Sequence, residues 1–259
     1  MKKLLDIALP LIGLILALAF WQWKVRHDGV PVYVLPAPSD IAAAFAANVS
    51  SLMASLATTL TVTALAFAAA TLAALFLAIL FSESRLAERI FHPYAVVLQV
   101  TPVVAIAPLI LLWIGYDRVT LAETLIAALV AFFPVLSNTT LGLRSADFNL
   151  VDLMRLYGAS RAQILWRVRL PTALPHLLSG MKTAGGLALI GTVVAEFVAG
   201  SGAATGLAWR IIESGNRLEI ATMFAALALL AVTGVIIFAA LSLLEYWLLR
   251  RWHESAIRR

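Results

Sequence analysis

Four long apolar stretches without any Asp, Glu, Lys or Arg constrain this chain more than any other feature. They cover Val49–Ser82, Ile90–Tyr116, Thr124–Leu143 and Ile220–Leu244. A helix needs about 20 mostly apolar residues to cross the hydrocarbon core of a bilayer. Each stretch therefore predicts a membrane-spanning helix, and the chain is predicted to be an integral membrane protein.

Two weaker candidates bring the predicted number of spans to six. One contains Asp6, and the other contains Lys182 and Glu196. Charged residues make up only 13% of the chain, against roughly 25% in soluble domains. The predicted fold is all-α, a single transmembrane domain over residues 1–259. Its spans lie at about 4–23, 55–81, 91–114, 121–143, 177–199 and 221–249.

The first span also fits a cleaved signal peptide, because Lys2 and Lys3 precede an apolar run. Phe20, Trp21 and Trp23 end that run. Aromatic residues of this kind are typical of a membrane interface and are a poor context for a peptidase. We therefore expect the span to be retained.

The basic residues predict the orientation. With six spans and an inside N-terminus, one side of the membrane receives 14 of the 19 Lys and Arg residues. Cytoplasmic loops carry the excess of Lys and Arg. Both termini and the long segment at about 144–176 are thus predicted to be cytoplasmic. The same distribution explains the net charge of +5 without nucleic acid.

The long cytoplasmic segment is predicted to form two short helices. Gly158 is a suitable stop for the first helix. Ser160 and Gln163 match the capping-box pattern that starts a second helix, and Pro171 is expected to close it. Ala162, Leu165 and Trp166 form an apolar stripe. Such a stripe fits either a helix resting on the membrane interface or a helix docked in a groove of a soluble partner.

Spacing within this segment resembles a known cytoplasmic signature. Asp152 stands at an acidic position, and Gly158 is followed by nine residues and then Val168-Arg169-Leu170-Pro171. This resembles the signature of ABC-importer inner-membrane subunits. Leu153 and Met154 depart from the two alanines typical there. Leu35-Pro36-Ala37-Pro38-Ser39, Thr101-Pro102 and Ala195-Glu196 extend the resemblance to the nitrate/sulfonate/taurine branch.

The resemblance implies a transport subunit that is not itself an enzyme. Two copies, as a homodimer, would each dock a cytoplasmic ATPase, and an external binding protein would deliver the solute. No Gly-x-x-x-x-Gly-Lys-Ser/Thr loop occurs in the chain, so ATP and Mg²⁺ are expected in the partner, with no cofactor here. The resemblance also places a set of residues at the contact with the ATPase: Asp152, Arg155, Tyr157, Gly158, Ala159, Ser160, Leu165, Leu170 and Pro171.

Polar residues inside the spans are candidates for the solute path, because unpaired polar groups are costly in lipid. They are Gln99, Thr101, Asn138, Thr183 and Thr192. Each also fits a role in helix packing. Glu196 fits either an external gate or an interfacial carboxylate paired with Arg210 or Arg217. Branch relatives differ in solute, from sulfonate-like anions to pyrimidine vitamin precursors and riboflavin-type molecules.

Three other functions are alternatives to an ABC-importer permease. A secondary transporter is expected to show inverted repeats and buried coupling carboxylates, and only Glu196 suggests one. A membrane enzyme needs clustered catalytic or metal-binding residues; the chain has no Cys, and its His residues lack metal-ligand spacing. An ABC permease of a different solute branch is the nearest alternative.

Overall fold

The computed structural model describes residues 2–200 and 205–250, with side chains from residue 8 onward. These residues form helices and no strand. The predictions that involve Lys2, Lys3 and the C-terminal tail beyond Arg250 lie outside the described side chains. The helices are α1 (Lys2–His27), α2 (Pro38–Ala47), α3 (Val49–Glu83), α4 (Arg85–Val100), α5 (Val103–Ile114), α6 (Val119–Arg144), α7 (Phe148–Leu156), α8 (Arg161–Ile164), α9 (Leu170–Ala199), α10 (Leu207–Asn216) and α11 (Ile220–Leu249).

Five helical segments of the described chain are long and apolar enough to cross a membrane. They are Ala8–His27, Val49–Glu83, Tyr116–Arg144, Arg161–Ala199 and Ile220–Leu249. A bent pair, α4 with α5, brings the number to six if it counts as one span. The predicted all-α transmembrane fold is confirmed.

The predicted third span, 91–114, is wrong as a single helix. It is broken into α4 and α5, which are bent by 104° relative to each other. Thr101 at the break has an extended backbone, with φ −73° and ψ 126°. Proline disfavours the helical conformation in the residue before it and has no N–H to donate, so Pro102 accounts for the break.

By contacts, the chain divides into two compact units. Unit 1 comprises residues 1–58 and 205–231, and unit 2 comprises residues 59–204 and 232–259. In unit 1, Arg26 forms an ion pair of 2.6 Å with Asp40 of α2, and Gln22 accepts a hydrogen bond from the Ser39 N–H. The single-domain organisation over 1–259 stays a prediction.

Unit 2 is organised around close packing between α6 and α9. A Cβ on Gly191 would lie 2.7 Å from the Cα of Ala127, and one on Gly180 would lie 2.9 Å from the carbonyl oxygen of Pro134. Only glycine allows this approach. Small residues in these helices thus bring two backbones together.

Pro171 does not close the second short helix, contrary to the prediction. α8 continues through a π-helical turn, Leu165–Arg169, directly into α9. Pro171 lies in the first turn of α9, directly after the π-helical turn, so the chain stays helical through this proline. The predicted loop at about 144–176 is therefore shorter, because helix α9 begins at Leu170.

Candidate functional site

Residues 147–169 are named the Gly158 segment here. Local hydrogen bonds fix both ends of its first helix, α7. Asp147 caps α7 by accepting the Asn149 N–H at 2.8 Å. Gly158 has φ +75° and donates its N–H to the Arg155 carbonyl at 2.9 Å. No neighbouring atom lies within 4 Å of a Cβ built on Gly158. The turn therefore needs glycine for its left-handed backbone and not for space.

The second helix starts with the predicted capping box. Ser160 donates its N–H to Gln163 Oε1 at 2.7 Å, and its hydroxyl accepts the Gln163 N–H at 3.3 Å. This reciprocal pair satisfies two backbone donors at the start of α8. The two-helix geometry around Gly158 is thus set by local chemistry that is readable in the sequence.

The inner face of the Gly158 segment has a small apolar core of its own. Val151 and Ile164 are both 5% exposed and pack with Ala146. Met154, Ala159 and Val168 lie against this cluster. The packing explains the small residue at Ala159 and holds α7 against α8.

The outer face of the segment exposes large apolar side chains. Leu156 is 86% and Tyr157 83% exposed, and Phe148 and Trp166 are also exposed. Beside them, Asp152 and Arg155 form an ion pair of 2.9 Å whose side chains both face solvent. Such an exposed pair contributes little stability and leaves both charges available to a partner.

Three residues that the resemblance placed at the ATPase are less accessible than expected. Leu165 is 8% exposed and belongs to the main core of unit 2, against which Leu170 packs. Pro171 is half-buried in the first turn of α9. The apolar stripe expected from Leu165 to Trp166 is thus split, because the π-helical turn points Leu165 inward while Trp166 stays exposed.

Arg169 ties the Gly158 segment to the end of α3, and the sequence did not single it out. Its guanidinium donates to the carbonyl and hydroxyl of Ser82, at 3.2 and 3.0 Å, and to Glu83 at 3.2 Å. These partners lie more than 80 residues earlier in the chain. The only sequence signal for this contact was that Arg169 and Glu83, which have opposite charges, flank two predicted spans on the same predicted side of the membrane.

The candidate path residues are not gathered into one site. Gln99 and Thr183 are exposed, and Thr101 lies at the break between α4 and α5. Asn138 donates to the Pro134 carbonyl at 2.8 Å. Thr192 is fully buried and accepts a hydrogen bond of 3.1 Å from Thr63, which favours helix packing over solute contact.

Glu196 is fully buried and accepts a hydrogen bond of 2.7 Å from the hydroxyl of Thr59. Arg210 and Arg217, its candidate partners, both contact Glu213, at 2.7 and 2.8 Å. Glu196 therefore joins α3 to α9 within unit 2. This contact fits a packing role better than an interfacial one.

The sequence overlooked a second buried carboxyl group, Glu123. It is 2% exposed, and its Oε1 has no hydrogen-bond partner among the described residues. Glu123 lies within the predicted span of 121–143, one residue before the charge-free stretch begins. Its signal was a lone acidic residue within an apolar run.

Lys182 pairs with a carboxylate of another helix. It forms an ion pair of 2.6 Å with Glu245 of α11, and both side chains are about 20% exposed. Its ammonium also lies 5.8 Å from the centre of the Phe238 ring. The pair joins α9 to α11 within unit 2.

Comparison with known proteins agrees with this architecture. The profile of the family described as "Binding-protein-dependent transport system inner membrane component" matches residues 70–254. The riboflavin transport system permease protein RibX of Chloroflexus aurantiacus is 37% identical over 94% of this chain and 90% of its own length. The putative aliphatic sulfonates transport permease protein SsuC of Bacillus subtilis is 33% identical over 92% of this chain and 85% of its own length.

Two further similarities complete the comparison. The formylaminopyrimidine transport permease protein ThiX of Halalkalibacterium halodurans is 30% identical over 96% of this chain and 98% of its own length. A crystallised chain of an amino acid ABC transporter with histidines shares the fold, with a TM-score of 0.65 and 20% identity over 78% of this chain and 95% of its own length. The chain thus belongs to the family of inner-membrane components of binding-protein-dependent transport systems, and it is the permease subunit of an ABC importer, not its ATPase.

Proposed function

We propose that two identical copies of this chain form the translocation path, and that each docks one ATPase subunit through the outer face of the Gly158 segment. The observation that carries the proposal is the two-sided character of this segment. Its inner face is packed on Val151 and Ile164, whereas Leu156 and Tyr157 remain more than 80% exposed. Neighbouring large apolar side chains that stay exposed are typical of an interaction site.

A protein groove suits this surface better than lipid does. The exposed Asp152–Arg155 pair lies on the same short helix as Leu156. A groove on a protein can satisfy both charges and the apolar side chains in one contact, whereas the anionic headgroups of a cytoplasmic leaflet would meet the Asp152 carboxylate with like charge. ATP and Mg²⁺ would be held by that partner, and its closure would move the helices through the Arg169 contact with α3.

A charge introduced at Leu156, on the exposed outer face of the Gly158 segment, tests the docking role. Leu156→Asp should abolish co-purification of the ATPase and solute-stimulated ATP hydrolysis, because it places a carboxylate in an apolar contact. Asn149→Asp is the matched control: it adds the same charge to the same helix near its N-terminus, where acidic residues are favourable. Full ATPase association in Leu156→Asp would refute the assignment.

The proposed orientation places both termini and the Gly158 segment in the cytoplasm. The chain has no Cys, so single-Cys variants report position without background. A membrane-impermeant maleimide added to intact spheroplasts should label Tyr33→Cys and not Leu156→Cys, and lysis should expose the latter. Labelling of Leu156→Cys in intact cells would reverse the orientation.

The transported solute is proposed to be a small polar or anionic molecule delivered by an external binding protein. Relatives named for riboflavin, formylaminopyrimidine and aliphatic sulfonates support this range. Gln99, Thr101, Asn138 and Thr183 are the proposed path residues. Proteoliposomes with the ATPase and the binding protein should accumulate one of riboflavin, formylaminopyrimidine or taurine only with ATP. Uptake that needs an ion gradient and no ATP would contradict the proposal, and native mass spectrometry of the complex would test its two-plus-two composition.

A further inference from the structure

Two adjoining clefts in unit 2 are rich in arginine, which supplies four of eight lining residues in one and five of twelve in the other. They have volumes of about 630 and 730 Å³ and share Ser82, Arg85, Arg155 and Arg169 as lining residues. Arg161 lines one of them, and Arg89 and Arg144 line the other. These arginines come from the start of α4, the end of α6 and the Gly158 segment. Six guanidinium groups are thus brought to one place from distant parts of the sequence.

Only half of these arginines have a carboxylate partner. Arg169 pairs with Glu83, Arg144 with Glu88, and Arg155 with Asp152. Within residues 8–200 and 205–250, no carboxylate lies within ion-pair distance of the other three, Arg85, Arg89 and Arg161. The clefts therefore carry a net positive charge of three.

The unpaired arginines are also placed unfavourably relative to one another. Arg85 and Arg89 are four residues apart in the first turns of α4 and share a helix face. Like charges at this spacing destabilise a helix by a few tenths of a kcal/mol, and basic residues are unfavourable near a helix N-terminus. An anion in the cleft would offset both costs, because guanidinium groups bind phosphate oxygens in a bidentate manner.

Apolar groups beside the arginines indicate what the anion is attached to. The larger cleft is also lined by Phe81, Leu143 and Phe148. Phe81 and Leu143 belong to the ends of two candidate spans, Val49–Glu83 and Tyr116–Arg144, and Phe148 is 79% exposed. A ligand with an anionic head and an apolar body matches this lining better than a free anion does.

We propose that this arginine cleft binds the phosphate-bearing headgroup of an anionic phospholipid. The ligand is distinct from the transported solute. The cleft lies at the ends of two candidate spans, and basic pockets between transmembrane helices bind anionic lipids. The bound headgroup would hold α4 and the Gly158 segment together, since Arg85 and Arg155 both line each cleft.

The test compares lipid binding by the full-length permease and by a variant that breaks no observed contact. Arg85→Gln/Arg89→Gln removes two unpaired charges. Native mass spectrometry would measure binding of dioleoyl phosphatidylglycerol and of dioleoyl phosphatidylcholine, which has the same acyl chains. The wild type should prefer phosphatidylglycerol. The variant should bind it about thirtyfold more weakly, since each arginine near an anionic headgroup contributes roughly fivefold.

Controls separate this site from general electrostatics and from other ligands. Lys24→Gln/Arg118→Gln removes two exposed basic residues outside the cleft and should leave the preference unchanged. The proposal would be overturned if both double variants lost phosphatidylglycerol binding equally. It would also be overturned if the wild type did not prefer phosphatidylglycerol over phosphatidylcholine. Displacement of the lipid by millimolar inorganic phosphate would assign a free-anion site instead. If Arg85→Gln/Arg89→Gln binds lipid as the wild type does but associates more weakly with the ATPase, the cleft is a contact surface for the ATPase.

Discussion

The hydroxyl of Thr59 donates a hydrogen bond of 2.7 Å to Glu196 Oε1, joining α3 to α9 in the interior of unit 2. One turn further along α3, Thr63 donates at 3.1 Å to Thr192. All four side chains are less than 5% exposed. Polar contacts of this kind connect membrane helices where no water is available. Two residues that the sequence offered as gate and path residues are thus part of the helix-packing contacts.

Thr59→Val should therefore lower the stability of the permease. The substitution keeps the shape of the side chain but removes a hydrogen bond to a buried carboxyl group, which is worth about 2 kcal/mol. We expect a drop of several degrees in the thermal midpoint of the purified protein in detergent. Thr124→Val is the control, because Thr124 bonds only to the Thr120 carbonyl of its own helix. Equal midpoints in the two variants would contradict the packing role.

Gly158→Ala should weaken ATPase coupling through the backbone alone. Gly158 has φ +75°, and a Cβ there meets no atom within 4 Å. The expected cost is about 1–2 kcal/mol, the penalty of an L-residue in the left-handed region. Gly158→Asn should retain more activity, because asparagine tolerates this conformation. Solute-stimulated ATP hydrolysis in proteoliposomes measures both, and an alanine variant as active as the asparagine variant would refute the argument.

Leu165→Asp and Leu156→Asp should fail in different ways. Leu165 is 8% exposed in the core of unit 2, whereas Leu156 is 86% exposed. A charge at the buried position costs several kcal/mol, so Leu165→Asp should lower the yield of folded permease in the membrane. Leu156→Asp should insert normally and lose only ATPase association. Fluorescence-detected size-exclusion chromatography distinguishes the two, and a well-folded Leu165→Asp permease that lacks only the ATPase would restore the sequence-based assignment.

Local patterns in the sequence were sufficient for the helix ends of the Gly158 segment. The capping box at Ser160 and Gln163 and the stop at Gly158 depend on residues three or fewer positions apart, and short-range chemistry decides them. Hydropathy was sufficient for the all-α transmembrane class of the fold, because length and apolarity alone determine what a bilayer accepts.

Contacts between helices could not be predicted in the same way. The Lys182–Glu245 pair joins residues 63 positions apart, and periodicity does not give the register between two helices. The break at Thr101 and Pro102 was missed for a different reason. Proline is tolerated inside many transmembrane helices, so its presence indicates a possible kink and not a bend of 104°.

Reversing the charges of Lys182 and Glu245 provides the most direct test of this register. Lys182→Met should destabilise the permease by about 2–3 kcal/mol, because it leaves Glu245 without its observed cation in a site that is about 20% exposed. Lys182→Glu/Glu245→Lys should recover most of that loss. Full recovery is not expected, because the ammonium would leave the Phe238 ring. Thermal midpoints of the purified variants measure each step.

The Lys24–Asp28 pair supplies the control. It is an exposed pair within one turn of α1, with side chains 56% and 37% exposed. Lys24→Met should change the midpoint by no more than about 2–4 °C, since exposed pairs contribute under about 1 kcal/mol. If the reversed Lys182/Glu245 variant is no more stable than Lys182→Met, the two side chains are not partners and the α9–α11 register is wrong.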